Sequence, residues 1–445
     1  MSRPRFLLSK LRPLQLAAVI FLTVSGGPYG LEVLLGYAGT HAALLFILIT
    51  PWIWDLPSLL AVLELNSMMP VTGGYYQWVR RALGERLGFY EGWWTWLYTF
   101  ADLAIYPVLF VEYLGYFFPQ ATVYKVPICL AIVWIAVLLN ILGIVSVGRS
   151  SVLLSALVLV PFAALLLAVL GSPQVHLSIP QLSFRGLPAG SAGLALYAVM
   201  WNFLGWDNAT TYAEEVEHPV RSYLLATGMA FAGVYVLYLA SMYLAQVSLS
   251  SLPAFVQDGF PALGTQLGKP WLARALAFGG MASTLGIFSA VLLSVTRIPK
   301  SMAEDGLLPG LLARSHPRLQ TPYVSILVCG SVVSLMILWT FSDLLIIDVL
   351  VYGAGLMLEF ASLLVLRLRA PGQPRPFRIP LSTPALALML LLPVLVFLAA
   401  LWAALQKGSG TLLPIGFAFA MLVSAEPAFL ALRSLRRRRH ACVEA

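Results

Sequence analysis

The dominant pattern along this chain is a recurrence of apolar runs separated by short polar turns. Such runs are read at 14–37, 41–66, 87–118, 124–147, 149–171, 189–213, 222–247, 271–297, 323–341, 343–367, 382–405 and 411–432. A helix that crosses a bilayer needs about 20 mostly apolar residues. The pattern therefore predicts twelve spans of an all-α polytopic membrane protein, with no separate soluble domain. Aromatic clusters in WTWLY and YLGYFFP suit belts at the membrane interface.

Two of the runs are interrupted. The first carries TVSGGPYGLE at residues 23–32, where Gly26, Gly27 and Pro28 break a regular helix and Glu32 follows one turn later. Pro28 removes a backbone donor and clashes with the preceding turn. Freed backbone groups in lipid cost several kcal/mol each unless something polar takes them, so such breaks are tolerated where they line a cavity. The sixth run carries WNFLGWDN, where Asn202, Gly205, Asp207 and Asn208 interrupt the apolar sequence. These runs open two sets of five, and paired interruptions at corresponding positions point to an inverted-repeat secondary transporter. The predicted organisation is a tail over 1–13, a first repeat over 14–171, a second repeat over 189–367, two further helices over 382–432 and a basic tail over 433–445. Residues 25–29 are expected to be unwound, with their backbone facing residues 202–206.

Composition sharpens this reading. The 445 residues are 60% hydrophobic and 10% charged, against roughly 25% charged in soluble proteins. With the N-terminus placed in the cytoplasm, 22 of the 27 Lys and Arg fall in inner segments, leaving Lys125, Arg185, Lys269, Arg274 and Lys407 outside. Lys and Arg bias sets orientation, so both termini are expected to be cytoplasmic. The net charge of +8 is then a topology signal and carries no expectation of nucleic acid binding. RSLRRRRH reads as a stop-transfer anchor or a contact for anionic lipid. No short apolar core with a small-residue cleavage site is present at the start, so no signal peptide is expected. Cys129, Cys329 and Cys442 match no metal or redox spacing, and no cofactor or metal is expected.

The spans hold Glu32, Asp55, Glu64, Asp102, Glu112, Asp207, Asp348, Glu359 and Glu426, with no Lys or Arg deep inside to pair them. A charge at the bilayer centre costs about 2.5–3.5 kcal/mol on insertion scales. Each acid must be protonated, hydrogen-bonded, near an interface or paired with a mobile cation. Asp102 and Tyr106 share a helix face. Asp348, Tyr352, Gly355 and Glu359 fall on one stripe, and Asp207, Thr210, Thr211 and Glu214 on another. Trp201 and Trp206 flank the second break, where aromatic faces can attract an ammonium group or simply pack the core. Glu64 reads as a structural or gating residue, Glu214, Glu215 and Glu217 as solvated or paired with loop arginines, and Glu426 as a packing or oligomer feature. Glu112 reads equally as a rim residue. Substrate candidates are Ser25, Gly26, Gly27, Tyr29, Glu32, Asp102, Tyr106, Trp201, Asn202, Gly205, Trp206, Asp207, Tyr352 and Glu359. Proton-coupling candidates are Glu32, Asp102, Asp207 and Glu359.

The chain resembles the amino acid–polyamine–organocation transporter superfamily along nearly its whole length. SGGPYG stands at the glycine-rich first break of that superfamily. ELNSMMPVTGGYYQWVRRALG resembles its stretch after span two, and WNFLGWDNATTYAEEVEHPVR its sixth-span signature. TRIPKSMAEDGLLPG, SHPRLQTPYVSI and PRPFRIP resemble its later loops. The resemblance implies the leucine-transporter fold. SGGPYGLE, GFYEGWWTWLY, DLAIYPVLFVEYLGYF and GLMLEFASLLVLRLR look like the polyamine uptake branch, which implies import of putrescine, spermidine and similar amines by proton symport. Some proton-coupled amino acid members carry a span-five lysine beside the first break. The matching position here falls near Val158, and span five has no lysine.

The residues themselves also bear on substrate. Transporters of this fold offer consecutive free amides at the first break to a substrate carboxylate. Pro28 deletes one amide and Glu32 adds negative charge nearby, which favours a cation. The expected function is import of polyamines or related organic cations across the cell (inner or plasma) membrane, with a small cationic amine, protons and the bilayer as partners. A symporter or exchanger of cationic or neutral amino acids is the alternative, and an amine sensor the third reading. No Ser/His, paired-Asp or metal motif supports an intramembrane enzyme, because His41, His176, His218, His316 and His440 lie in loops or at span ends.

Overall fold

The structure is a computed structural model, which describes residues 10–173, 175, 177–249, 252–406 and 409–444. Arg3, Arg5, His176 and Lys407 lie outside the described residues, as do the side chains of Arg437, Arg438, Arg439, His440 and Cys442. Seventeen α-helices follow one another among the described residues. They begin with α1 (Pro13–Val24), α2 (Glu32–Thr50), α3 (Leu56–Met68), α4 (Gly74–Leu83) and α5 (Glu85–Gly115). Next come α6 (Lys125–Ile141), α7 (Ile144–Leu170), α8 (Ala189–Asn202), α9 (Pro219–Ser248), α10 (Leu252–Asp258) and α11 (Pro261–Gln266). The chain continues through α12 (Pro270–Val295), α13 (Arg297–Glu304), α14 (Tyr323–Met336), α15 (Phe341–Arg369), α16 (Thr383–Leu405) and α17 (Ser409–Glu444). Eight continuous helical stretches among the described residues are long and apolar enough to cross a membrane, and three further apolar helices are shorter.

The first run is divided as its sequence requires. α1 ends at Val24, and helix resumes only at Glu32. Gly26 and Gly27 take φ of +58° and +100°, a region glycine enters without steric cost. The end of the first run and the whole second run are joined into one helical stretch, Glu32–Met68. Its direction changes at Gly39, whose φ of 68° and ψ of 174° are not helical, and at a π-helical turn, Pro51–Asp55.

The sixth run is shorter than its apolar pattern predicts. α8 stops at Asn202, and residues 208–215 form two 3₁₀ turns. The Thr210 and Thr211 hydroxyls bond back to the carbonyls of Asp207 and Asn208, the local competition that lets threonine undo a helix. The expected helical stripe through Asp207, Thr210, Thr211 and Glu214 is therefore absent as a helix face.

WTWLY makes contacts within the fold. It lies in mid-α5, where the Trp94 indole donates to the Leu422 carbonyl of α17 at 2.9 Å and Tyr98 is buried. The core is one continuous apolar cluster, and α5, α12 and α15 supply much of it.

Several acids are absorbed by this framework. Glu64 accepts from Arg367 at 2.8 and 2.5 Å and from the Ile379 amide at 2.9 Å. Glu215 pairs with Arg297 at 3.1 Å. Glu426 pairs with Arg86 at 2.5 Å and accepts from Tyr90, tying α17 to α5. Asp55 is buried beside the Trp206 indole.

Candidate functional site

The two breaks meet. Tyr238, on α9, directs its hydroxyl at the carbonyls of both Asn202 (3.1 Å) and Ser25 (3.5 Å), so one side chain addresses both interrupted helix ends. A Cβ on Gly205 would lie 3.0 Å from the Thr23 carbonyl oxygen. Only a glycine lets the second break come this close to the first.

A cavity of about 20 Å³ sits between the breaks, with room for one or two waters. The first break contributes Thr23, Val24 and Ser25 to its wall; the second contributes Asn202, Leu204 and Gly205. Asp102 and Tyr106 reach it from α5, and Asp348 and Tyr352 from α15. Tyr106 donates to Asp102 Oδ1 and stacks on Trp201, with centroids 6.2 Å apart. Trp201 in turn meets Phe341 edge-on and covers Gly30, where a Cβ would fall 2.6 Å from the indole. Asp348 Oδ1 and Asn202 Oδ1 are buried without a hydrogen-bond partner. No Lys, Arg or His lines the cavity. The wall thus offers acceptors and aromatic surfaces, the complement of a donor-only ammonium group.

Most backbone amides of the first break are already bonded. Ser25 and Gly26 both donate to the Phe21 carbonyl at 2.9 Å, and Gly27 donates to Ser25 Oγ at 3.0 Å. Pro28 has no N–H, and Gly30 donates to Glu32 Oε2 at 2.6 Å.

Of the residues singled out from sequence, Ser25, Asp102, Tyr106, Trp201, Asn202, Gly205 and Tyr352 line this cavity. Gly26 and Gly27 stand behind it, against Ile287 and Val158 respectively. Tyr29 is held in the core, bonded to the Leu276 carbonyl at 2.7 Å and packed on Tyr113, Phe162 and Phe260. Trp206 packs on Phe231. Glu32 faces a second cavity of about 330 Å³, which Glu112 and Asp258 also line. Its two oxygens are taken by the Gly30 amide and the Tyr113 hydroxyl, the latter at 2.8 Å.

Asp207 and Glu359 are buried beside the central cavity and do not line it. Tyr352 joins them to it, donating to Asp207 Oδ1 at 2.7 Å while accepting from the Gly205 amide at 3.3 Å.

Sequence reasoning missed Tyr98, Asn208 and Ile287 as cavity residues and passed over Glu91 among the membrane acids. It placed Asp348 on the stripe without choosing it. The signal for Glu91 was present: Glu91, Thr95, Tyr98, Asp102 and Tyr106 recur at three- and four-residue intervals on one face of α5.

A family profile described as amino acid permease matches residues 11–420. The chain belongs to the amino acid permease family. It is a multi-pass membrane transporter of that family. A protein of Arabidopsis thaliana named "probable polyamine transporter" is 33% identical over 422 residues, covering 92% of this chain and 86% of its own. Polyamine transporter PUT1 of Oryza sativa subsp. japonica is 34% identical over 381 residues, covering 84% and 70% respectively. The branched-chain amino acid permease BcaP of Bacillus subtilis (strain 168) is 27% identical over 349 residues, covering 72% and 73%.

Proposed function

We propose that this permease imports polyamines or related organic cations by proton symport, with alternating access around the central cavity. The observation that carries the reading is the cavity wall: two carboxylates, Asp102 and Asp348, with Tyr106, Trp201 and Tyr352 and no basic side chain. Two carboxylates suit a substrate with more than one ammonium group. The first break supports the same reading, because the amides of Ser25, Gly26, Gly27 and Gly30 are already bonded within the break and Pro28 has none to offer a substrate carboxylate. The likeness to proteins named polyamine transporters agrees with it.

In this reading residues 14–171 and 189–367 are inverted five-helix repeats of a leucine-transporter fold. Residues 382–432 supply two further helices, making twelve spans. Both termini lie in the cytoplasm, and the membrane is the inner or plasma membrane. In the conformation described, the cavity has room for waters but not for a whole diamine, so binding requires the walls to part. Protons bound at buried carboxyls supply the driving force.

The second reading is amino acid symport or exchange, which the likeness to a branched-chain amino acid permease supports. Uptake in proteoliposomes separates the two. Radiolabelled putrescine is expected to accumulate under an inward proton gradient, and spermidine is expected to compete better than leucine or glutamate. Leucine uptake that amines do not inhibit would refute the amine reading.

A further inference from the structure

α5 and α15 pack antiparallel and carry acids at matched intervals. Asp102 lies eleven residues after Glu91, and Asp348 eleven residues before Glu359, a separation of about 16 Å along each helix. Asp102 and Asp348 form the upper level, on the substrate cavity. Glu91 and Glu359 form a lower level with Asp207, away from the cavity wall.

The lower level is closed. Glu91, Asp207 and Glu359 are 2%, 2% and 1% exposed. Asp207 is bonded to Tyr352 of α15, and Glu359 follows Tyr352 by seven residues on the same helix face. Glu91 comes over Gly355, where a Cβ would sit 3.0 Å from Oε1. Glu91 Oε2 and Glu359 Oε2 have no hydrogen-bond partner. None of the three is in an ion pair among the described residues. The groups that face them are Tyr75 from α4, Thr95 and Tyr98 from α5, Asn208 from the second break, and Tyr352 from α15. All are neutral or acidic. The three carboxyls are not arranged as metal ligands.

Three negative charges cannot be held together there without a cation, since each buried, unpaired charge costs several kcal/mol. We propose that Glu91, Asp207 and Glu359 form the proton-binding site of this transporter, separate from the substrate cavity and joined to it by the Tyr352 hydroxyl. This deepens the proton-symport reading and rests on it. One proton enters the cluster from the outer solution and leaves to the cytoplasm, and no covalent bond other than O–H is made or broken. Tyr352 couples the sites because it lines the cavity, donates to Asp207 and accepts from the Gly205 amide of the second break. Deprotonation of Asp207 strengthens the Tyr352 bond, since hydrogen bonds to charged acceptors are the stronger ones. That pulls on the cavity wall and on the break together.

The test compares two modes of putrescine transport in proteoliposomes: exchange against internal putrescine, and accumulation driven by a pH gradient. Glu91→Gln and Glu359→Gln are expected to keep exchange within about twofold of wild type and to lose gradient-driven accumulation. Exchange in the variants also shows that they are folded. Variants that accumulate putrescine with the gradient as wild type does would overturn the proposal. Loss of spermine exchange with putrescine exchange kept would also overturn it, by showing that the lower level holds a second ammonium group.

Failure of wild type to exchange putrescine would instead refute the amine reading. Infrared spectra then judge the cluster without any substrate. Wild type at neutral pH is expected to show a protonated-carboxyl C=O band that Glu359→Gln diminishes, and its absence from wild type would overturn the proposal.

Discussion

Gly26 offers a direct test of how the first break builds the cavity. Substitution by alanine adds one methyl group, and that carbon would lie 2.2 Å from Ile287 Cδ1, 2.4 Å from Cγ1 and 2.7 Å from Ser283 Oγ. Ordinary contact begins at 3.4 Å, so the Ile287 methyl must retreat by about 1.2 Å. Ile287 lines the cavity between the breaks, which has room for only one or two waters, so its retreat reshapes the site.

Two costs add. Holding alanine at a φ of +58° costs about 1–2 kcal/mol, and overpacking a filled interior costs about 1–3 kcal/mol. The lower sum, about 2 kcal/mol, already corresponds to more than a tenfold effect. Gly26→Ala is therefore expected to lower putrescine exchange at least tenfold. Ile287→Ala removes both clashing carbons, so the double variant should regain part of the loss, with a coupling of about 1–3 kcal/mol. The assay is initial-rate exchange in proteoliposomes for both single variants and the pair, normalised to folded protein. Additive effects, or wild-type exchange in Gly26→Ala, would refute the argument that Ile287 transmits the break to the cavity.

Two further predictions concern the frame around the site. Glu64→Gln strands the buried guanidinium of Arg367, which is 1% exposed; breaking a buried pair costs about 3–5 kcal/mol, so the thermal midpoint in detergent should fall by several degrees, and an unchanged midpoint would contradict the assignment. Tyr238→Phe removes the hydroxyl shared by the Ser25 and Asn202 carbonyls; leaving a buried acceptor unpaired costs about 1–3 kcal/mol, and exchange should drop about tenfold or more, whereas full exchange would show that the breaks hold together without it.

The breaks were legible because their residues are local signals. Gly-Gly-Pro cannot continue a helix in any surroundings. The position near Val158, located only by counting along span five, does lie against the first break, with a Cβ on Gly27 falling 2.5 Å from its Cγ1. The stripe on α15 was also legible, because helical periodicity places Asp348, Tyr352, Gly355 and Glu359 on one face whatever they touch.

Glu32 was not legible in the same way. A carboxylate one turn beyond a break looks alike whether it faces the substrate or ties the backbone. The distinction is made by Tyr113, 81 residues away in sequence. That helix does not resume after the sixth-run break was hidden for a related reason, since threonine is neutral to helix until its hydroxyl finds a nearby carbonyl. The reason for Gly26 and Gly27 was also only half visible. Their positive φ angles open the helix, but Ile287 and Val158 are what forbid a side chain there.

The arrangement of acids connects these observations to transport. The acids Glu64, Glu215 and Glu426 each meet an arginine and tie elements of the fold together. Those deep in the molecule, Asp102, Asp348, Glu91, Asp207 and Glu359, meet none among the described residues. A fold that needed these five only for stability would do better with apolar residues of similar size, since replacing buried charge by well-packed hydrophobic groups is often neutral or stabilising. In the proposed reading their cost is met by cations that come and go. An ammonium group can fill the upper level, where a cavity already exists and aromatic faces stand beside the carboxylates. In the same reading a proton fills the lower level, whose acids do not line the substrate cavity. A structure with two such levels on antiparallel helices, and one tyrosine touching both, has the elements that coupled movement of two cations requires.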